Sequence, residues 1–324
     1  MAKQALVMGI DVGGQTTKLG VVDARGNILY QSVISSLQRE LSSYVEDITT
    51  AIKDLISQSE NDGVIKGIGI GAPNGNYYKG TIEFAPNLKW AYDENGKPMV
   101  IFLANMIRDI IGIPVAITND ANAAAVGEMT YGIAKGMKDF IMITLGTGVG
   151  SGIVIDGKIV YGHDGFAGEL GHTIIVRNGR QCNCGHKGCL ETYTSATGVA
   201  RTAREFLAER DEPSLLRELD PEKITSKDIY DAAKKGDKLA LEIFEFTGKI
   251  MGEAFADFVA FSAPEAIILF GGLARSKEFL TEPILKSMND NLLQMWKGKI
   301  RLLYSTLKDS DAAILGASAL AWEL

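Results

Sequence analysis

One strand pattern occurs twice in this chain, and it limits the possible folds more than any other feature. Between Ala5 and Tyr30 the order is Ala5–Ile10, a glycine turn Asp11-Val-Gly-Gly-Gln-Thr, Lys18–Val22, a second turn Asp23-Ala-Arg-Gly26, then Asn27–Tyr30. Roughly 130 residues later the order returns as Phe140–Leu145, Gly146-Thr-Gly-Val-Gly150, Gly152–Ile155, Asp156-Gly157 and Lys158–Tyr161. Short apolar runs bounded by Gly and Asp turns predict antiparallel strands. Two such meanders predict an internally duplicated architecture.

Each copy leads into helical and further strand signals. Ser43-x-x-Glu46 predicts a capping box, and Val45, Ile48, Ile52, Leu55 and Ile56 share one helical face. Gly67-Ile-Gly-Ile-Gly71 predicts a buried strand, and Ile113–Thr118 another that feeds an alanine-rich helix from near Asp120. In the second half, Ala200–Glu209 and Lys238–Ala260 read as helices and Ala266–Phe270 as a strand ending in Gly271-Gly272. Asp311–Leu324 reads as a closing helix. Strands alternating with helices predict an α/β fold with a partly parallel sheet in each half.

Bulk properties narrow the function. The length of 324 residues suits two domains. A hydrophobic share of 46%, a charged share of 23% and a mean hydropathy of +0.07 argue against disorder and coiled coil. A net charge of −7 lacks the basic footprint of a general nucleic-acid binder. The longest uncharged stretch, Phe140–Ile155, has 16 residues and four glycines, short of the roughly 20 a membrane span needs. The first apolar segment runs straight into Asp11 and lacks a signal-peptide pattern. A cytoplasmic protein is therefore expected, with neither membrane nor nucleic acid as partner.

Glycine makes up 36 residues, above the usual share of ~7%, and it concentrates in loops. At Gly13 and Gly14 the absence of side chains would let phosphate oxygens reach backbone N–H groups, and Asp11 beside them would bind Mg²⁺ directly or through water. A plain hairpin turn is the competing reading. Leu145-Gly-Thr-Gly-Val-Gly-Ser-Gly152 occupies the equivalent place in the repeat, so two glycine hairpins could clamp one polyphosphate. Gly152-Ile-Val-Ile-Asp-Gly-Lys158 imitates the opening of a P-loop, but Ile159 stands where a Mg²⁺-binding hydroxyl belongs and no helix signal follows. It reads as an Asp-Gly hairpin.

Two stretches carry side-chain chemistry. Asn119-Asp120 falls where a strand ends and a helix begins. An Asp there is commonly a helix cap, yet strand ends in α/β sheets are where ligands collect, and this pair could hold a hydroxyl and accept its proton. The three cysteines, Cys182, Cys184 and Cys189, lie within eight consecutive positions. An odd, clustered set is no disulfide framework. With His172 they form His-x9-Cys-x-Cys-x4-Cys, a tetrahedral Zn²⁺ donor set, for which His186 competes as fourth ligand and burial of small hydrophobic thiols is the alternative.

These residues resemble the ROK family (repressors, open reading frames, kinases) of the actin-like, hexokinase-type ATPases, along essentially the whole chain. Glu169-Leu-Gly-His172 with Cys-x-Cys-Gly-x-x-Gly-Cys-Leu-Glu191 is its most specific stretch, and Glu191-Thr-Tyr-Thr-Ser-Ala-Thr-Gly198 is similar to bacterial glucokinases of the family. The resemblance implies two actin-like (ribonuclease H-like) domains, 1–118 plus 311–324 and 119–310, with a ligand cleft between them. It implies ATP-dependent phosphorylation of glucose at the 6-hydroxyl, with Asp120 as general base. Asn119, Glu169, His172 and Glu191 would hold sugar hydroxyls, with Asn87 and Gly75 near the sugar. ATP and Mg²⁺ would meet Asp11, Gly13, Gly14, Gln15, Thr16, Gly146, Thr147 and Gly148, and Gly271-Gly272 would lie against the adenosine. Zn²⁺ on His172, Cys182, Cys184 and Cys189 would make the second imidazole nitrogen an obligate donor. In a loose phosphoryl-transfer transition state the hydroxyl proton leaves late, so Asp120 needs no raised pKa.

The chain departs from the family pattern at Gln15, where a threonine usually follows Gly-Gly, and at Asn74, in Pro73-Asn-Gly75 where Pro-Gly is usual. N-acetylglucosamine, N-acetylmannosamine, allose and fructose are the alternative acceptors. A sugar-sensing regulator of the family would carry a helix-turn-helix ahead of the first strand, which here begins at Ala5. A homodimer is the family expectation.

Overall fold

The computed structural model describes residues 3–324, apart from the side chains of residues 309 and 310. The first half runs β1 (Gln4–Val12), β2 (Thr16–Val22), β3 (Ile28–Ser35), α1 (Leu41–Ser59) and β4 (Gly63–Ala72). It continues with β5 (Gly75–Asn76), β6 (Thr81–Glu83), β7 (Val100–Ile101), α2 (Leu103–Ile111), β8 (Val115–Asn119) and α3 (Asp120–Tyr131). The second half runs β9 (Phe140–Leu145), β10 (Val149–Ile155), β11 (Lys158–Ile159), α4 (Glu191–Thr194), α5 (Ala196–Glu209) and α6 (Ser226–Lys234). It ends with α7 (Lys238–Ser262), β12 (Ala266–Phe270), α8 (Lys277–Asn291), β13 (Arg301–Tyr304) and α9 (Asp309–Leu320). The chain divides into two compact units, Met1–Met137 with Lys158–Gly168 and Thr306–Leu324, and Lys138–Gly157 with Glu169–Ser305. Where the sequence suggests a boundary after Thr118, the packing keeps α3 in the first unit.

In the first unit the sheet order is β3-β2-β1-β4-β8, with β2 antiparallel to β1 and β3, and β4 and β8 parallel to β1. One face buries Leu6, Met8, Ile10, Ile68 and Ile70 with Ile48, Ile52 and Leu55 of α1 and Leu103 and Ile107 of α2. Each such side chain contributes about 1.5–3 kcal/mol on burial. The opposite face is bare where α9 crosses it: a Cβ at Gly9 or Gly69 would collide with the carbonyl oxygens of Ile314 or Ala317. The Gly-x-Gly-x-Gly run is therefore the seat of the closing helix, and its isoleucines belong to the other layer.

The capping box at Ser43 does not form. Helix α1 starts at Leu41 with Glu40 in the cap position and no side-chain cap. The Tyr44 N–H already bonds the Glu40 carbonyl at 3.2 Å, which leaves Ser43 inside the first turn.

The second unit repeats the plan. Its strands run β10-β9-β12-β13, with β10 antiparallel to β9 and with β12 and β13 parallel to it. In each unit a glycine hairpin leads, and two further strands add parallel to its first strand. Asp156 and Gly157 turn with φ of 50° and 74°, as a two-residue type I′ turn requires, so the P-loop imitation is a hairpin.

Candidate active site

In the first unit, functional side chains collect at the C-terminal ends of three parallel strands. The register sets Asp11 of β1 beside Gly71 of β4, and Ala72 beside Asn119 of β8. Asn119 is the N-cap of α3: its Oδ1 accepts the Ala121 N–H at 2.8 Å. Asp120, the first helical residue, accepts the same N–H through Oδ1 at 2.8 Å. The cap turns the amide oxygen of Asn119 inward, which leaves its Nδ2 as a donor and Oδ2 of Asp120 as an acceptor.

Asp120 is open to solvent by area yet densely surrounded by protein. Desolvation pushes its carboxyl above the usual carboxylate range, against the opposing effect of the Ala121 N–H. Asp11 is pushed up to about 6, first by burial and then by the charge of Asp120, with Lys18 acting in the opposite direction. Two neighbouring carboxylates, the charge of Asp120 raising Asp11, are a site of negative potential suited to a divalent cation.

The first glycine hairpin closes on Gly13 N–H to Thr16 carbonyl at 3.0 Å. Gln15 and Thr16 are exposed and Thr17 is buried, so Thr16 is the surface hydroxyl of this loop. A Cβ at Gly14 would lie 3.0 Å from the Asn87 carbonyl oxygen, and one at Gly75 would strike the carbonyl of Thr118. Gly75, Asn87, Asn119, Asp120, Asp11 and the hairpin are thus neighbours through backbone contacts that glycine permits. Asn74 adopts φ 52°, the left-handed region in which Asn is one of the few tolerated side chains. Its Nδ2 donates to the carbonyls of Glu83 at 2.9 Å and Phe84 at 3.3 Å, so it fits the backbone of this turn and pins it.

In the second unit the other hairpin is held differently. Gly146 N–H bonds the Gly148 carbonyl at 3.0 Å, Ala196 N–H bonds the Gly146 carbonyl at 2.9 Å, and Thr197 Oγ1 donates to the Thr147 carbonyl at 2.7 Å. Gly146 and Thr147 stay exposed. Phe270 pairs with Thr144, and Gly271, at φ 102°, lies so close to Leu145 that a Cβ would come 2.6 Å from its carbonyl oxygen. Gly271-Gly272 therefore sit beside the hairpin. Sequence reading missed Ser195 and Thr197. Ser195 caps α5 by accepting the Gly198 N–H at 3.0 Å, and the Ser-x-Thr spacing was the available signal.

The cysteines converge as the spacing predicts. His172, Cys182, Cys184 and Cys189 bring four ligand atoms within 4.8 Å of one another, and His186 lies outside that set. Cys184 Sγ is 3.6 Å from Cys189 Sγ, and Cys182 Sγ is 3.8 Å from His172 Nδ1. Zn–S bonds of ~2.3 Å around a tetrahedron give edges of ~3.8 Å, so the donor set fits Zn²⁺ in chemistry and size. With Nδ1 facing the thiols, Nε2 is the nitrogen left to donate. Glu169 starts the short helix Leu170–His172, accepting the His172 N–H on its carbonyl at 3.0 Å.

Glu191 opens α4 and joins this cluster to the hairpin. Its Oε1 is 3.0 Å from Cys182 Sγ and 3.6 Å from His172 Nδ1, and its Oε2 accepts the Val149 N–H at 3.4 Å. Arg180, also missed, is buried and donates to Thr192 O at 2.8 Å, to Thr202 Oγ1 at 2.9 Å and to the Glu205 carboxylate, which braces the cysteine loop against α4 and α5. A lone Asn-Gly-Arg carries no sequence pattern for that role.

Two α/β units of one plan, a glycine hairpin in each and an Asn-Asp pair at a strand end define the actin-like, ribonuclease H-like class of phosphate-handling proteins. The chain belongs to the ROK family, which matches residues 7–323. It is 35% identical over 319 residues to the glucokinase of Halalkalibacterium halodurans, covering 95% of this chain and 92% of that protein. The glucokinase of Thermotoga maritima is 33% identical over 317 residues, covering 97% and 96%. A solved ROK family glucokinase from Streptomyces griseus, in complex with glucose and AMPPNP, matches with a TM-score of 0.77 at 33% identity, over 98% of this chain and 100% of that one. No helix among the described residues is long and apolar enough to cross a membrane.

Proposed function

We propose that this chain is an ATP-dependent sugar kinase that transfers the γ-phosphoryl group of ATP to the 6-hydroxyl of glucose. The observation that carries the reading is the Asn119-Asp120 pair, set at the strand ends beside Asp11 and the first glycine hairpin. Full-length similarity to proteins named glucokinase supports the choice of sugar.

Asp120 is the general base. Its Oδ1 is fixed by the Ala121 N–H, and Oδ2 takes the proton as the 6-hydroxyl attacks. Desolvation raises its proton affinity, which favours transfer from a hydroxyl, so activity falls on the acid side once Asp120 is protonated. Asn119 Nδ2 donates to a sugar oxygen. Glu169, His172 and Glu191 hold further hydroxyls, and Asn87 and Gly75 shape the sugar's surroundings. Gly13, Gly14, Gln15, Thr16, Gly146, Thr147 and Gly148 bind the phosphates, with Gly271 and Gly272 against the adenosine.

Asp11 would hold Mg²⁺, directly or through water, and that ion would neutralise phosphate charge. His172, Cys182, Cys184 and Cys189 would hold Zn²⁺, whose contribution is to stiffen the loop and fix the imidazole tautomer. The imidazole Nε2–H then donates to a sugar hydroxyl. The protein works in the cytoplasm as a homodimer in this reading.

The test is a steady-state comparison of glucose, N-acetylglucosamine, N-acetylmannosamine, allose and fructose with ATP and Mg²⁺. Glucose is expected to give the highest kcat/KM. Preference for another hexose would reassign the substrate, and inactivity on all five would overturn the reading.

A further inference from the structure

Beneath the first glycine hairpin lies a buried chain of hydroxyl groups. Thr17 Oγ1 is 2.8 Å from Ser36 Oγ and 2.7 Å from Tyr44 Oη, and all three residues are 0% exposed. Ser36 also donates its N–H to the Gln15 carbonyl at 2.8 Å, so the hairpin is tied at Gln15 and again at Thr17. On its other side the Tyr44 ring stacks on Trp90, with centroids 4.2 Å apart and planes 14° from parallel. Trp90 is fully buried and its Nε1 finds no hydrogen-bond partner among the described residues, so stacking and apolar packing hold it in place. Trp90 follows Asn87 by three residues, and the Asn87 carbonyl rests against Gly14.

A sheet and helix packing here need no hydroxyls. Val, Ala and Phe would fill the same space, and buried hydroxyls stabilise little net while costing free energy when unpaired. What hydroxyls add is direction: each bond fixes one atom of the hairpin relative to α1. We propose that Tyr44 is a positioning residue that couples the phosphate loop to the sugar loop, setting the first through Thr17 and the second through Trp90. This rests on the glucose and ATP reading given above. Its consequence is specific. Removing only the phenolic oxygen keeps the stack on Trp90 and cuts the tie to Thr17, so the nucleotide side loosens and the sugar side does not.

Tyr44→Phe is expected to raise the KM for ATP about 5- to 10-fold, the fold-change of one buried hydrogen bond, while the KM for glucose stays within about twofold. Thr17→Val removes the same bond from the other side and the bond to Ser36 with it. It should raise the KM for ATP at least as much, and the double variant should be no worse than Thr17→Val alone. Ile48→Val, a core truncation one turn along α1, lowers thermal stability without moving either KM, so loss of stability alone is distinguishable. An unchanged KM for ATP in both variants, or full additivity in the double, overturns the proposal. If Tyr44→Phe does not fold, Thr17→Val decides alone. If the unsubstituted protein phosphorylates no hexose, the kinase reading has failed. The Kd for Mg·ATP, measured by calorimetry on the same variants, then still decides whether Tyr44 sets the hairpin.

Discussion

The two glycine hairpins share a backbone and differ in what holds them. The first is braced from below by neutral hydroxyls and stands beside two carboxylates, Asp11 and Asp120, the charge of the second raising the proton affinity of the first. The second is gripped through its carbonyls by the start of α5 and through the Val149 N–H by Glu191, whose other oxygen lies on the cysteine cluster. The duplicated strands thus carry unlike chemistry. A hairpin leading a parallel sheet is a scaffold that recurs readily, whereas the side chains around it divide the work. In the proposed reaction, one unit would offer proton transfer and cation binding, and the other a sulfur-held platform for orienting the sugar.

The largest expected effect breaks the first unit's share of that division. Asp120→Asn should lower kcat by about 10²- to 10⁴-fold, with glucose binding by calorimetry retained and thermal stability undiminished. Near-normal turnover would remove Asp120 as base. Next comes the second unit's share. Cys184→Ser should release about one Zn per chain and raise the KM for glucose at least about 10-fold, since His172 loses its fixed tautomer. Metal analysis and kinetics on one preparation check both, and a zinc-free wild type with normal KM would refute the assignment.

A third test sharpens the electrostatic contrast. Folded Asp11 keeps its proton to about pH 6, whereas the unfolded chain releases it near the ordinary value of 3.8. Between those values the folded state holds more protons, so stability falls as pH rises, and the penalty is complete near pH 7. Asp11→Asn should therefore stabilise the magnesium-free protein by about 2–3 kcal/mol at pH 7 and by nothing below pH 3.8. Urea denaturation at the two pH values measures it. The smallest effect lies within the second hairpin. A Cβ at Gly148 would come 2.8 Å from Glu191 Oε2, while one at Gly146 would meet nothing within 4 Å. Gly148→Ala should cost about 1 kcal/mol of stability and Gly146→Ala about half that or less.

Much of this was legible in the sequence because it is local. Glycine turns, the Asp-Gly hairpin and the cysteine spacing are decided within a few residues, and each appears where the pattern predicts. Ser43 misled because a capping motif competes with whatever starts the helix earlier, here the bond from Tyr44 to Glu40. The choice of His172 over His186 was legible too, because the glycines at 185 and 188 mark a turn, and that turn leaves the nearer histidine exposed. Helix α6 was overlooked although Thr225-x-x-Asp228 forms a true capping box. The pairing of Thr17 with Ser36 and Tyr44, and of Arg180 with Glu205, joins residues far apart in the chain. No single-sequence periodicity encodes such pairs.

The central claim is transfer of the γ-phosphoryl group to a sugar hydroxyl. Phosphorus NMR of the protein with Mg·ATP and glucose tests it most directly. Loss of the γ-phosphate signal is expected, matched by an equal gain of glucose 6-phosphate. Unconsumed ATP, or its conversion to ADP and free phosphate without sugar phosphate, would contradict it.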